Sequence, residues 1–130
     1  MKSVWTAIDY LKQSQHYFKN AQELYAKGER AKATELVWGS VAEAVKALAA
    51  SRGIDLRTHQ SLREYVYKIA GQIRDAEFQQ LFNDVEGAHR NFYQEFMKDR
   101  EIQEVFAKAQ EFLRRANELI RRRTGSFYYQ

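Results

Sequence analysis

Three histidines, His16, His59 and His89, are the side chains of this sequence best suited to acid–base chemistry near neutral pH. His89 lies in a segment whose apolar residues recur every three or four positions, namely Phe78, Leu81, Phe82, Val85, Ala88, Phe92 and Phe96. This period indicates a helix with one buried face. At about 100° per residue, His89 falls near the middle of that face, whereas His16 falls on the polar side of its own helix. The His89 imidazole could act as a general base, line a binding cleft, or stabilise the fold through a hydrogen bond.

Basic, amide and aromatic side chains near the two later histidines indicate a surface for a phosphate or a base. Arginine pairs with phosphate, and tyrosine stacks on bases. The sequence therefore predicts a cleft between the fourth helix and the loop after the second. His89 is its candidate catalytic residue, and the candidate ligand-binding residues are Arg52, Arg57, His59, Asn91 and Tyr93. The 17 acidic residues and the lack of a glycine-rich phosphate loop leave open a helical interaction module that binds no ligand.

A metal site is the next chemistry to consider, because Glu86 and His89 have the Glu-x-x-His spacing of di-iron helical bundles. Such a site needs a second unit of the same kind. The matching positions upstream of His16 and His59 are Gln13 and Leu56, and the chain has no cysteine. The sequence therefore predicts no metal site and no cofactor.

Long helices must position these residues, since the chain has no proline and only six glycines. Apolar periodicity predicts five helices, at about residues 4–27, 29–51, 61–71, 75–98 and 100–123, followed by an aromatic tail at 124–130. Gly28 and Gly53 are suited to helix ends. Ser61 and Glu64 have the spacing of a capping box, and Asp99 is suited to cap the fifth helix. Residues 1–130 thus predict one domain, an all-α five-helix antiparallel bundle.

The composition favours a folded protein away from the membrane. Apolar residues make up 45% of the chain, and no apolar run approaches the roughly 20 residues that cross a bilayer. The amino terminus does not read as a signal peptide, so we expect a cytoplasmic protein. A net charge of +4 permits a polyanionic partner without requiring one. The wide apolar face of the second helix predicts either a central position in the bundle or a face shared with a second copy.

Three segments resemble the HEPN superfamily of small helical bundles. Residues 7–21, AIDYLKQSQHYFKNA, are similar to the family's opening helix, and residues 42–53, AEAVKALAASRG, to its second helix. Residues 58–62, THQSL, are similar to the entry to its third helix. Residues 89–93, HRNFY, look like the HxNFY signature of a mainly archaeal branch of HEPN-like proteins.

The resemblance implies a homodimer with a cleft at or near the dimer interface. Some family members cut RNA without a metal, some bind nucleotides, and many accompany a nucleotidyltransferase in toxin–antitoxin or defence systems. Catalytic members carry an arginine shortly before the late histidine, and this sequence departs from that pattern with Phe82, Asn83 and Asp84. We therefore expect a protein that binds a nucleotide or RNA. A metal-independent endoribonuclease with His89 as its base, and a non-catalytic interaction module, remain the alternatives.

Overall fold

The computed structural model of the chain describes residues 5–90 and 97–124. These residues form five α-helices and no strand, which confirms the predicted all-α five-helix bundle. The helices are α1 (Ala7–Ala26), α2 (Arg30–Ala50), α3 (His59–Ile73), α4 (Ala76–Arg90) and α5 (Asp99–Thr124). No helix in these two ranges is long and apolar enough to cross a membrane.

The helix α2 is the centre of the bundle and contacts each of the other four helices. Its buried side chains are mostly small, and they leave room for several neighbours. They are Ala33, Thr34, Val37, Trp38, Ser40, Val41, Ala42, Ala44, Val45, Ala47, Leu48 and Ala49. Gly39 allows a close approach to α1, because an added Cβ would lie 3.1 Å from the Tyr17 ring. The central position predicted for the second helix is therefore confirmed.

Side-chain contacts fix the directions of the helices. Ser14 on α1 donates to the Ser40 carbonyl on α2, and Arg63 on α3 pairs with Glu86 on α4. Further contacts, Asp75 with Arg115 and Asp84 with Lys108, make α4 antiparallel to α5.

The pair α2 and α3 departs from the antiparallel arrangement. The start of α3 lies beside the middle of α2, where the His59 and Trp38 rings are 5.5 Å apart. Its end lies beside the end of α2, where Arg52 Nη1 donates to Gln72 Oε1 at 3.3 Å. The two helices therefore run in the same direction, and the connection between them returns along the bundle.

The start of α3 differs from the predicted one. Thr58 is the N-cap: its hydroxyl accepts from the Ser61 backbone N–H, and the Ser61 hydroxyl accepts from the Thr58 N–H, each at 3.0 Å. The predicted capping box between Ser61 and Glu64 is wrong, because Glu64 instead accepts from the Gln60 amide. As a result, His59 is the first residue of the helix and does not lie in a loop.

Other boundaries shift by a few residues. The helix α1 begins at Ala7, after a reciprocal cap between Thr6 and Asp9. The helix α3 continues past Gly71 to Ile73 and ends on Arg74 in the left-handed conformation, with φ 56°. Asp99 is the first residue of α5 and does not precede it. Asn91, Phe92, Tyr93, Phe96 and the aromatic tail lie outside the described residues.

Candidate functional site

Two of the three histidines meet on one tryptophan. The His89 ring stacks on Trp38 with centroids 5.4 Å apart and 21° between the planes, and the His59 ring meets the same indole edge-on. The two imidazole centroids are 6.4 Å apart. We call Trp38, His59 and His89 the histidine cluster. It joins side chains from α2, α3 and α4.

Each member of the cluster is held by a rigid element. Trp38 is only 5% exposed and packs edge-on against Phe82, so its indole forms a fixed wall. His59 is exposed, and the Thr58 cap sets the backbone that carries it. His89 is half-buried in the last turn of α4. The arrangement therefore presents two imidazoles on a buried aromatic base.

The surroundings of His89 favour its neutral form. Burial lowers the pKa of His89 below its ordinary value of 6.5, and the nearby His59 lowers it further. The carboxylates of Glu35 and Glu86 act in the opposite direction. A neutral imidazole has an acceptor nitrogen at neutral pH, so His89 is suited to accept a proton or a hydrogen bond.

We expect acidification to destabilise the protein partly through His89. The pKa of His89 is lower in the folded than in the unfolded chain, so the unfolded chain binds the proton first. The contribution of His89 to stability is therefore complete above about pH 6.5 and decreases as the pH falls below that value. Urea unfolding at a series of pH values measures this effect. Between about pH 7 and 5, the free energy of unfolding should decrease less for His89→Gln than for the wild type. His16→Gln changes an exposed histidine of α1 and is the control; its free energy of unfolding should depend on pH as that of the wild type does. The same pH dependence in all three proteins would contradict the expectation.

An ion pair lies beside the cluster. Glu86 is 5% exposed, and its carboxylate accepts from Arg63 Nη1 at 2.9 Å. The Arg63 side chain is 45% exposed, so part of its guanidinium faces solvent while it neutralises the buried carboxylate. The sequence presents Glu86 as a possible metal ligand and gives no indication of this pair. Glu86 lies one turn before His89 on the same face, but a partner on another helix leaves no local pattern.

The remaining candidate residues are Arg52, Arg57, Asn91 and Tyr93. Arg57 pairs with Asp55 at 2.9 Å in the connection between α2 and α3. Arg52 lies beside Gln72, and at about 1.5 Å per residue that end of α3 is about 20 Å from His59. Asn91 and Tyr93 are outside the described ranges. The structure thus brings His59 and His89 together and places Arg52 apart from them.

No metal site is found within residues 5–90 and 97–124, where no three histidine, aspartate or glutamate side chains converge. The pairing of Glu86 with Arg63 explains part of this result. A carboxylate that already accepts a charge-assisted hydrogen bond from arginine has its charge compensated without a metal.

Comparison with known proteins gives one family. The model of the archaeal PaREP1/PaREP8 family matches residues 9–113, a range that contains Trp38, His59, Arg63, Glu86 and His89. No curated protein matches the sequence.

Proposed function

The chain belongs to the archaeal PaREP1/PaREP8 family, and from this premise we propose that it is a HEPN-like helical protein that binds a nucleotide or RNA at the histidine cluster. The observation that carries the proposal is the pair of imidazoles 6.4 Å apart on the buried Trp38 indole. Imidazole and guanidinium groups donate hydrogen bonds to phosphate, and half-exposed rings stack on bases. The exposed His59, the half-buried His89 and the half-exposed Arg63 supply these groups on adjacent elements.

The pairing of Glu86 with Arg63 supports an anionic ligand at this position, where Glu35 is the other carboxylate that acts on His89. The buried Glu86 charge is compensated by Arg63, so it does not repel a phosphate as a free carboxylate would. A bound phosphate would also oppose the lowering of the His89 pKa, because a nearby opposite charge stabilises the charged form of an imidazole. Ligand binding and proton uptake are therefore expected to be coupled.

The sequence resemblance extends the proposal to the assembly and its setting. It supports a cytoplasmic homodimer that acts in a toxin–antitoxin or defence system, beside a nucleotidyltransferase partner. Sedimentation of the purified chain tests the dimer, and the neighbouring reading frame tests the partner.

The second candidate function is metal-independent RNA cleavage, which the spacing of the two imidazoles favours. In this reaction neutral His89 takes the proton of a 2′-hydroxyl, and the 2′-oxygen attacks the adjacent phosphorus. Protonated His59 donates its proton to the departing 5′-oxygen, so the products are a 2′,3′-cyclic phosphate and a 5′-hydroxyl. One group removes a proton as the other supplies one, which is the division of roles in general acid–base catalysis.

A single set of proteins tests both functions. Fluorescence anisotropy with labelled single-stranded RNA in EDTA should show binding that weakens as salt rises. His59→Gln and His89→Gln should each weaken binding about tenfold, the equivalent of about one charge-assisted hydrogen bond. If the protein cleaves RNA, His89→Gln should slow cleavage by about a hundredfold or more.

His16→Gln is the matched control, because His16 is an exposed histidine of α1. Among the described residues, its ring hydrogen-bonds only to Asn20, which lies on the same helix. It should bind and cleave as the wild type does. Flat titrations at low salt would leave the interaction module as the function. Unchanged affinity in both cluster variants would place the ligand elsewhere on the chain.

A further inference from the structure

A second surface at the other end of α3 has the chemistry of a nucleic-acid subsite. An open groove of about 850 Å³ lies where α3 turns into α4. We call it the hairpin groove, and its main lining residues are Tyr67, Lys68, Gly71, Gln72, Arg74 and Gln79. Tyr67 is 74% exposed, so its ring is accessible to a ligand. An exposed ring beside two cations and two amides matches the groups that bind single-stranded nucleic acid.

Most carboxylates near the hairpin turn pair with α5. Asp75 and Glu77 pair with Arg115, and Asp84 pairs with Lys108, whereas Glu86, near the far end of α4, pairs with Arg63 on α3. Asp75 also lines the hairpin groove, but its charge is compensated by that pairing. Within the described ranges, Lys68 and the Arg74 guanidinium form no ion pair. The groove therefore carries uncompensated positive charge.

Two buried polar atoms, one at the hairpin groove and one beside it, have no hydrogen-bond partner among the described residues. At the groove, Gln79 Oε1 is an acceptor without a partner, although the Nε2 of the same amide donates to Asn83 at 3.2 Å. Arg52 Nε is the second atom; Arg52 does not line the groove, but its Nη1 donates to the lining residue Gln72. Native structures leave few buried polar atoms unpaired, and each such atom calls for an explanation. A base edge carries both donors and acceptors and could satisfy atoms of this kind.

Two backbone features at this end of α3, the glycine at position 71 and the left-handed Arg74, are not explained by packing. Gly71 lowers the stability of a helix relative to alanine, yet a Cβ there would meet nothing within 4 Å. Gly39 differs, because its missing side chain makes room for Tyr17. Arg74 ends α3 in the left-handed conformation that favours glycine or asparagine. Both residues are explained if a ligand lies close to the Gly71 backbone and the Arg74 guanidinium binds it.

We propose that the hairpin groove binds single-stranded RNA, with one base stacked on Tyr67 and a neighbouring phosphate paired with Arg74 and Lys68. The identity of the ligand rests on the function proposed for the histidine cluster. The strand must be unpaired, because stacking on a side chain requires a base that is free of its partner. Gln79 Oε1 is then the acceptor for a donor on the base edge.

The two sites belong to one path along α3. Eight residues, or about 12 Å of helix, separate His59 from Tyr67, and Arg63 lies midway between them on the same side. At the base-stacked spacing of about 3.4 Å, that distance corresponds to about four nucleotides. A strand bound at both sites is therefore expected to need a minimum length, which a mononucleotide or dinucleotide does not reach.

The length dependence of RNA binding tests the proposal. We would measure anisotropy of the full chain with labelled oligoribonucleotides from about two to about eight nucleotides long. Affinity of the wild type should rise at least tenfold between the shortest and the longer strands. Tyr67→Ala and Arg74→Gly should each remove most of this gain and leave binding of the shortest strand unchanged. Arg74→Gly should also reduce the slope of log affinity against log salt concentration by about the amount expected for one lost phosphate contact.

Both variants should stay folded, because Tyr67 is exposed and glycine suits the Arg74 backbone. Trp5→Ala and Arg100→Ala are matched controls, since they remove an exposed ring and an exposed cation that do not line the groove. If Tyr67→Ala and Arg74→Gly bind every length as the wild type does, the hairpin groove is not an RNA subsite. In that case a loss of binding in His59→Gln would still support the histidine cluster. If the wild type binds no RNA at any length, both proposals fail.

Discussion

Replacing Phe112 with alanine is expected to lower the free energy of unfolding by about 3–5 kcal/mol. The Phe112 side chain is 0% exposed and stacks on Phe78 with centroids 4.4 Å apart and 11° between the planes. It also contacts the Phe82 ring at 5.9 Å. The substitution would remove the ring contacts of Phe112 with Phe78 and Phe82, which lie one turn apart on α4. The closely packed neighbours would fill the resulting cavity only in part. Because small proteins have only about 5–15 kcal/mol of stability, the loss is a large fraction of the total.

Urea unfolding followed by the helical circular-dichroism signal measures this effect. Phe112→Leu is the matched control, because it keeps most of the volume and should cost less than about 1.5 kcal/mol. A loss below about 1 kcal/mol for the alanine variant would contradict the expectation that the buried stack of Phe112 on Phe78 contributes strongly to stability.

The apolar face of α4 could be predicted from the sequence because its determinants are local. Phe78, Leu81, Phe82 and Val85 recur with the helical period, and all four are buried. Periodicity reports which side of a helix is apolar, but it does not report which neighbour covers that side. The stack of Phe112 on Phe78 therefore needed the structure, although the periodicity correctly placed Phe78 on the apolar face of its helix.

The histidine cluster shows the same limit more sharply. His59 and His89 were both candidate site residues, but nothing in the sequence predicts that Trp38 lies between them and Phe82. That contact exists because α2 and α3 run in the same direction and bring the start of α3 to the middle of α2. The direction of α3 depends on the path of the connection from α2, and no local pattern specifies it.

Arg52 illustrates the consequence for site prediction. It is seven positions from His59 in the sequence, and this proximity suggested a shared cleft. The parallel arrangement instead places the two residues at opposite ends of α3. The start of α3 was missed for a related reason: Thr58 and Ser61 are both suitable caps, and only the reciprocal bonds between them show which one is used.

Replacing Trp38 with alanine is the change expected to affect stability and the proposed site together. Trp38 is 5% exposed and contacts Phe82, His59 and His89 with centroids 5.4–5.5 Å apart. Truncation should lower the free energy of unfolding by about 3–5 kcal/mol, as for other buried aromatic residues. It also removes the surface against which both imidazoles are oriented, so RNA affinity should fall at least as far as in His89→Gln.

Trp38→Phe separates the two effects, because a smaller ring retains an aromatic wall at reduced volume. We expect a loss of about 1–2 kcal/mol in stability and a smaller loss of RNA affinity than for alanine. Trp5, the other tryptophan, is exposed, so a Trp5→Phe background leaves Trp38 as the only indole that reports on the site. In that background the tryptophan fluorescence should change as His89 titrates, because the charged imidazole lies against the indole ring. A fluorescence signal that is independent of pH between about 7 and 5, together with full RNA binding by Trp38→Ala, would show that the indole orients neither histidine.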